Sequence, residues 1–427
     1  MADLSVQWPQ SSTIGRGADA ARSMLMALAL MGYPLVAALA GIAGLGESSA
    51  PSIALRVGVV VLAIYVLFER PLRITHGLGW FIVGTMCFWS AYLGRILVDG
   101  FARDMTLQLS GSEYLAYAVM FSLLPACGAL QGPPEPTRST LLLRRLVLLG
   151  LLTMLLAALA YLRSLSDLQS ALQGRAGLEK LNPISLGHLG VSLFLLSCVL
   201  LACGPSGRGS IWVTAAAMLT LVLGAVAVGM AGSKGPFVAL LVAASAYLLA
   251  PMRGAQRLRW IVAGALVLGV LAVALVNMGD QLESVQLLAR LADLLSGQSA
   301  DESTTSRMDA YQSAIDQFSE SPIYGDALVE RIHHYYPHNA ILEVAMATGL
   351  MGLLPFLAIV LASMIQSWRA LAQGGEGRWI HMLNIQYFVA AIFSGGVFSD
   401  SQMWFFLLLC YASSQQGSPP RASALPA

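Results

Sequence analysis

Three side chains in this sequence could do polar chemistry against an apolar background: His338, Arg307 and Lys234. His338 stands in Pro337-His338-Asn339, just before an apolar run that starts at Ala340. Pro337 blocks helix before it, and Asn339 is a residue type that caps a helix N-terminus. Free N–H groups and the positive end of the helix dipole favour an anion at such a place. An imidazole there could take a proton from a hydroxyl. The plainer alternative is a structural hydrogen bond at the membrane surface.

Arg307 opens a helical pattern in the same polar stretch. Its planar fork suits a phosphate, although Asp309 or Glu302 could pair with it instead. Lys234 lies in Ala231-Gly232-Ser233-Lys234-Gly235-Pro236, a tight break between two apolar runs. A lysine there is costly unless it is paired, functional, or snorkels to the surface. The break is not a P-loop, because the glycine spacing and the following Ser or Thr are missing. His333, His334 and His338 do not read as metal ligands: Pro337 keeps His334 and His338 off one helix, and no Cys or Asp-x-Asp pair joins them. Neither a metal nor a cofactor is expected.

The elements that must position these residues are membrane helices. The chain is 57% hydrophobic and only 11% charged, against about 25% charged in soluble domains. Apolar runs fall at 24–45, 52–68, 77–98, 113–130, 141–162, 185–203, 211–230, 235–250, 260–278, 340–365, 379–397 and 402–413. Backbone groups in hydrocarbon need internal partners, so these runs are read as helices. The expected fold class is all-α: a polytopic helical integral membrane protein with about 12 transmembrane helices and one large, partly helical outward loop. Helices 1–9 occupy 1–278, the loop 279–339, helices 10–12 340–413, and an inward tail 414–427. Within the loop, Leu282 to Leu295 recur at helical spacing and predict an amphipathic helix. A second helix is expected over 306–319, stopped by Pro322 and Gly325. The five cysteines all lie in apolar runs and read as small buried hydrophobes.

Charge sets the orientation. With the N-terminus inside, the inner segments hold 14 of the 24 Lys and Arg residues but only 5 of the 23 acids. The large loop then faces out, with Lys234. Arg95, Arg163, Arg175, Lys180 and His188 also fall on the outer side, where each could anchor at headgroups. No basic tract suggests nucleic acid.

Several short motifs follow in order: Gly232-Ser233-Lys234-Gly235, Ser306-Arg307, Tyr311, Ala314, Phe318, Ser321-Pro322, Gly325, Pro337-His338-Asn339, Leu342-Glu343 and Gly349-Leu350-Met351-Gly352. This order resembles the O-antigen ligase and polymerase superfamily over residues 230–355. Lys234 stands where the family usually has Arg, Tyr311 where Trp is common, and Asp326 where Gly is usual. The resemblance implies glycosyl transfer at the periplasmic face of a bacterial inner membrane. The donor would be a glycan on undecaprenyl pyrophosphate and the acceptor a lipid A–core sugar hydroxyl, with membrane lipids around both. His338 would be the base, and Arg307 and Lys234 the cations facing the pyrophosphate. Asn339, Tyr311, His334, Arg95 and Arg175 complete the expected substrate-binding set. With no carboxylate pair evident for double displacement, inversion is expected. The rival readings are an O-antigen polymerase or protein O-oligosaccharyltransferase on the same scaffold, and a lipid-linked glycan transporter. A transporter would predict repeat symmetry and charges near the midplane.

Overall fold

The computed structural model describes residues 12–45, 48–69, 71–72, 74–103, 105–133, 139–164, 181–203, 210–254, 256–259, 302–375 and 377–416. All regular structure among them is helical. The chain runs through α1 (Ser12–Ile42), α2 (Ala50–Glu69) and α3 (His76–Leu97), which continues into a π-helical turn, Val98–Ala102. Next come α4 (Gly111–Ala116), a π-helical segment (Tyr117–Leu123) and α5 (Leu124–Ala129), one unbroken helical run. After these stand α6 (Ser139–Ser164), α7 (Pro183–Cys203), α8 (Ser210–Ala231) and α9 (Lys234–Leu249). The last four are α10 (Glu302–Glu320), α11 (Ala340–Gln373), α12 (Arg378–Phe393) and α13 (Ser401–Gln416).

Seven helices among the described residues are long and apolar enough to cross a membrane: α1, α2, α3 with its π turn, α6, α7, α8 and α11. The chain is therefore a multi-pass membrane protein. α9, α12 and α13 have 16 residues each, or about 24 Å of helix, short of a ~30 Å hydrocarbon core. The run expected over 260–278, the amphipathic helix of Leu282 to Leu295, and Arg175 and Lys180 lie outside the described residues. The second loop helix is present as α10. It begins four residues earlier than the sequence suggested and ends at Glu320.

Apolar side chains serve two solvents. Val61, Phe68 and Trp212 are exposed, as a lipid-facing surface requires. The packed centre is aromatic: Phe88 of α3 stacks on Trp404 of α13 at 5.0 Å and meets Phe356 of α11 at 5.3 Å, while Trp89 reaches Trp404 at 4.9 Å. This seam ties α3, α11 and α13 into one block.

The loop after α10 is bound to that block by backbone. α11 is broken at Gly349, whose φ of 57° and ψ of −157° lie outside the helical region. The freed groups find partners in residues 322–326. Leu350 N donates to Pro322 O (2.8 Å), Met351 N to Ile323 O (3.1 Å), and Asp326 N to Met346 O (2.8 Å). Irregular backbone inside a membrane bundle persists only where such groups are paired again. Gly325 also has positive φ, 72°, and a Cβ there would strike the Ala347–Thr348 peptide. The Ser-Pro-x-x-Gly and Gly-Leu-Met-Gly motifs are thus two halves of one contact.

Candidate active site

His338 is presented by a forced turn. Pro337 is buried, His338 takes a left-handed φ of 56°, and Asn339 is extended. Asn339 Oδ1 accepts from Ile341 N (3.0 Å) and Leu342 N (3.1 Å), which caps α11. A non-glycine residue in the left-handed region costs ~1–3 kcal/mol and persists where its surroundings over-determine it. Here the rings of Tyr335 and Tyr336 enclose the imidazole, at 5.1 and 4.7 Å between centroids.

His338 Nδ1 is buried and has no hydrogen-bond partner. Burial, with the Arg307 charge beside it, holds the imidazole's pKa down to about 4. The ring is neutral at pH 7 and able to accept a proton, so the structural-hydrogen-bond reading finds no support at Nδ1.

Arg307 projects from α10, where Arg307, Ala310, Ala314 and Gln317 form the inward face. Tyr311 is half-buried one turn along. One Arg307 N–H reaches the carbonyl of Phe393, the last residue of α12, at 3.4 Å. No described carboxylate pairs with Arg307, Asp309 included, so most of its donors are free. Lys234 begins α9, half-buried, and likewise has no described acceptor. Its neighbour Gly235 packs on Phe393: a Cβ built there would lie 3.2 Å from that of Phe393. The end of α12 therefore joins two cation-bearing elements, and of the two cations Arg307 is near enough to His338 for its charge to act on the imidazole.

The other expected residues are placed differently. Arg95 was expected to bind substrate. Instead its guanidinium donates to the carbonyls of Ala347 (2.8 Å), Asp326 (2.8 Å), Tyr324 (2.8 Å) and Gly325 (2.9 Å), and to Asp99 (3.4 Å). Four of these five contacts hold the loop and α11 to α3, and the fifth reaches the π-helical turn that continues α3. His334 is exposed and lines a separate hollow with Arg103, Asp326 and Arg331, away from His338. Asp326 accepts from Gln317 (2.9 Å) and Arg331 (2.9 Å), a loop-stitching role. His333 bonds Glu330 at 3.1 Å. His188, expected as a surface anchor, is buried, because α7 packs inside the bundle rather than at its rim. Among the described residues no three His, Cys, Asp or Glu side chains gather as a metal would require.

Sequence reasoning gave Glu343 no role beyond a motif position. It is fully buried on α11 and accepts from Tyr92 Oη (2.6 Å) and, through both oxygens, from Val397 N (3.0 Å each). It thereby fixes the turn between α12 and α13 beside Tyr336.

A helical multi-pass membrane protein with a cation, Arg307, beside a neutral imidazole is a class suited to anionic, membrane-held substrates. Residues 219–357 of the 427 match the family model described as O-antigen ligase. The matched stretch holds Lys234, Arg307 and His338. No curated protein matches the chain.

Proposed function

We propose that this chain is a metal-independent glycosyltransferase of the bacterial inner membrane that moves a glycan from undecaprenyl pyrophosphate to lipid A–core at the periplasmic face. The observation that carries this reading is the pairing of a largely unpaired Arg307 with a neutral, unpartnered His338. The acceptor hydroxyl attacks the anomeric carbon and gives its proton to His338. The anomeric C–O bond breaks, and its electron pair leaves on the pyrophosphate. Negative charge grows there, and fixed cations lower the barrier; Arg307 and Lys234 supply them. Single displacement inverts the anomeric centre.

The orientation rests on charge. Lys234 starts α9. At its other end, about 24 Å away, Arg257 donates to Leu249 O (3.2 Å) and Arg378 to Tyr247 Oη (2.8 Å). The positive-inside rule puts the arginine-rich end in the cytoplasm and Lys234 outside. A layout of twelve spans with one large periplasmic loop fits this arrangement. A polyprenyl donor explains why the site is built within a lipid-facing bundle.

The test is transfer by purified protein from lipid-linked glycan to lipid A–core, with and without chelator. Product that survives chelation and disappears in His338→Ala supports the mechanism. In cells, that variant should leave donor accumulating outside. Donor trapped inside would instead mark a transporter, and chain extension of the donor itself would mark a polymerase.

A further inference from the structure

A cavity of about 390 Å³ adjoins the site. Tyr336, edge-on to His338, lines it, and so does Ser394, which follows the Phe393 that receives Arg307. Its lining does not include His338, Arg307 or Lys234. The chemistry inside it is unused by the mechanism above.

Arg56 of α2 is the cation of this cavity. Its guanidinium carbon lies 4.2 Å from the Phe121 ring centroid, 4.9 Å from Tyr117 and 5.7 Å from Tyr33. Three rings from α1 and the Tyr117–Leu123 segment hold the fork in place. Among the described residues, no acceptor takes a hydrogen bond from it and no carboxylate pairs with it. An aromatic-backed guanidinium with free donors is ready to grip a phosphate or carboxylate. Other walls carry Asn182, Gln402, Asp400 and His188. Both ring nitrogens of His188 are buried without a partner. Asp400 uses one oxygen to accept from Met403 N (3.1 Å), and burial lifts its pKa to about 7. Amide, carboxyl and imidazole groups bind hydroxyls, and aromatic rings pack on sugar faces. Leu28, Leu55, Val59, Met120, Ile184 and Leu189 also line the cavity, so the polar groups and the rings are the part of the wall that would take up a sugar.

We infer that this cavity receives the acceptor as an anionic sugar, whose phosphate or carboxylate pairs with Arg56 while a nearby hydroxyl reaches His338 past Tyr336. The inference rests on the proposed glycosyl transfer and adds the acceptor's seat. The donor's diphosphate has its own cations at Arg307 and Lys234. A single displacement needs the acceptor on the opposite side of the anomeric carbon from that leaving group. The cavity meets the site at Tyr336, on the imidazole, which is where a hydroxyl must arrive.

The test measures binding without donor, so that no turnover is required. Full-length wild type, Arg56→Gln and Arg56→Lys are titrated with purified rough lipopolysaccharide, either intact, dephosphorylated or carboxyl-reduced. Arg56→Gln should weaken binding of intact acceptor about tenfold or more, and Arg56→Lys should recover much of it, which separates charge from misfolding. One of the two edits should weaken wild type by a similar factor and cost Arg56→Gln nothing further. Equal binding by wild type and Arg56→Gln, or losses that multiply, would overturn the proposal. Kinetics with donor add a second check: acceptor KM should rise while donor KM holds, and the reverse would assign the cavity to the diphosphate. Arg56-dependent binding in a protein that transfers nothing would sink the reaction and spare the site.

Discussion

Arg307 is near enough to His338 for its charge to help hold the imidazole pKa down to about 4, while its one hydrogen bond among the described residues is a 3.4 Å contact to the Phe393 carbonyl. The two residues come from elements on either side of the loop, α10 and the turn before α11. A cation with no carboxylate partner among the described residues, beside a neutral imidazole, describes a site suited to a negatively charged ligand.

The pH profile should show this. His338 is in its basic form above its pKa, so kcat/KM, which reports the free enzyme, should hold through neutral pH and fall only as pH drops toward about 4. A bound diphosphate neutralises Arg307 and lifts the imidazole pKa. The acid limb of kcat should therefore lie at higher pH than that of kcat/KM. Limbs that coincide would show that Arg307 does not act on His338, and an acid limb near 6.5 would show that burial does not hold the pKa down either. The same depressed pKa favours the folded state above the ordinary histidine value of 6.5, and that contribution is lost as pH falls through about 4.

Arg307→Gln separates the two roles of the arginine. Loss of a cation facing the leaving group should lower kcat by about 10²–10³. The residual activity should titrate with its acid limb shifted upward, because one cause of the low His338 pKa is gone. A drop in rate with an unmoved acid limb would leave Arg307 as a substrate ligand only.

Asn339 should act through His338. Asn339→Ala removes the side-chain cap of α11 and should cost about 1 kcal/mol of stability, read as a lower unfolding temperature in detergent. Rate should fall with little change in donor KM, because the imidazole loses the turn that aims it. Asn339→Ser, which can cap, should restore both. A donor KM that rises in Asn339→Ala and stays high in Asn339→Ser would make Asn339 a ligand in its own right.

What could be read from the sequence follows from where polarity stands out. His338, Arg307 and Lys234 are polar groups at the edges of apolar runs, and their types state their chemistry. α10 was legible as a helix over about 306–319, ended by the breakers Pro322 and Gly325. Arg56 was missed because it sits inside an apolar run, and the three rings that explain it come from α1 and from Tyr117 to Phe121. The acceptors of Arg95 were not legible for a related reason. Its carbonyl acceptors lie 229 to 252 residues away, and backbone oxygens leave no mark in composition. His188 looked like a rim residue because burial depends on which helices surround α7, which periodicity does not reveal.

Arg95→Lys tests that reassignment. An ammonium is a point charge with three donors and cannot span four carbonyls. Several charge-assisted hydrogen bonds at a buried site would be lost, at a cost of roughly 2–4 kcal/mol. Unfolding temperature should fall, and the remaining folded protein should keep both KM values. A substrate-binding arginine would show the opposite pattern, with a raised KM and unchanged stability.

Gly325 and Gly349 should be intolerant of any side chain, while Gly94 should not be. Gly325 and Gly349 have φ of 72° and 57°; a Cβ on Gly325 would stand 2.4 Å from Ala347 C and Thr348 N, and one on Gly349 2.5 Å from the Ile323 carbonyl carbon. Gly94, inside α3, has nothing within 4 Å of its would-be Cβ. Gly325→Ala and Gly349→Ala should each destabilise by more than about 1 kcal/mol and lower transfer, because the contact they make carries the loop from α10 to His338. Gly94→Ala should be neutral or raise stability by up to ~1 kcal/mol through helix propensity. Thermal unfolding of the three variants decides the matter: if Gly349→Ala unfolds no earlier than Gly94→Ala, the break in α11 is not what anchors the loop.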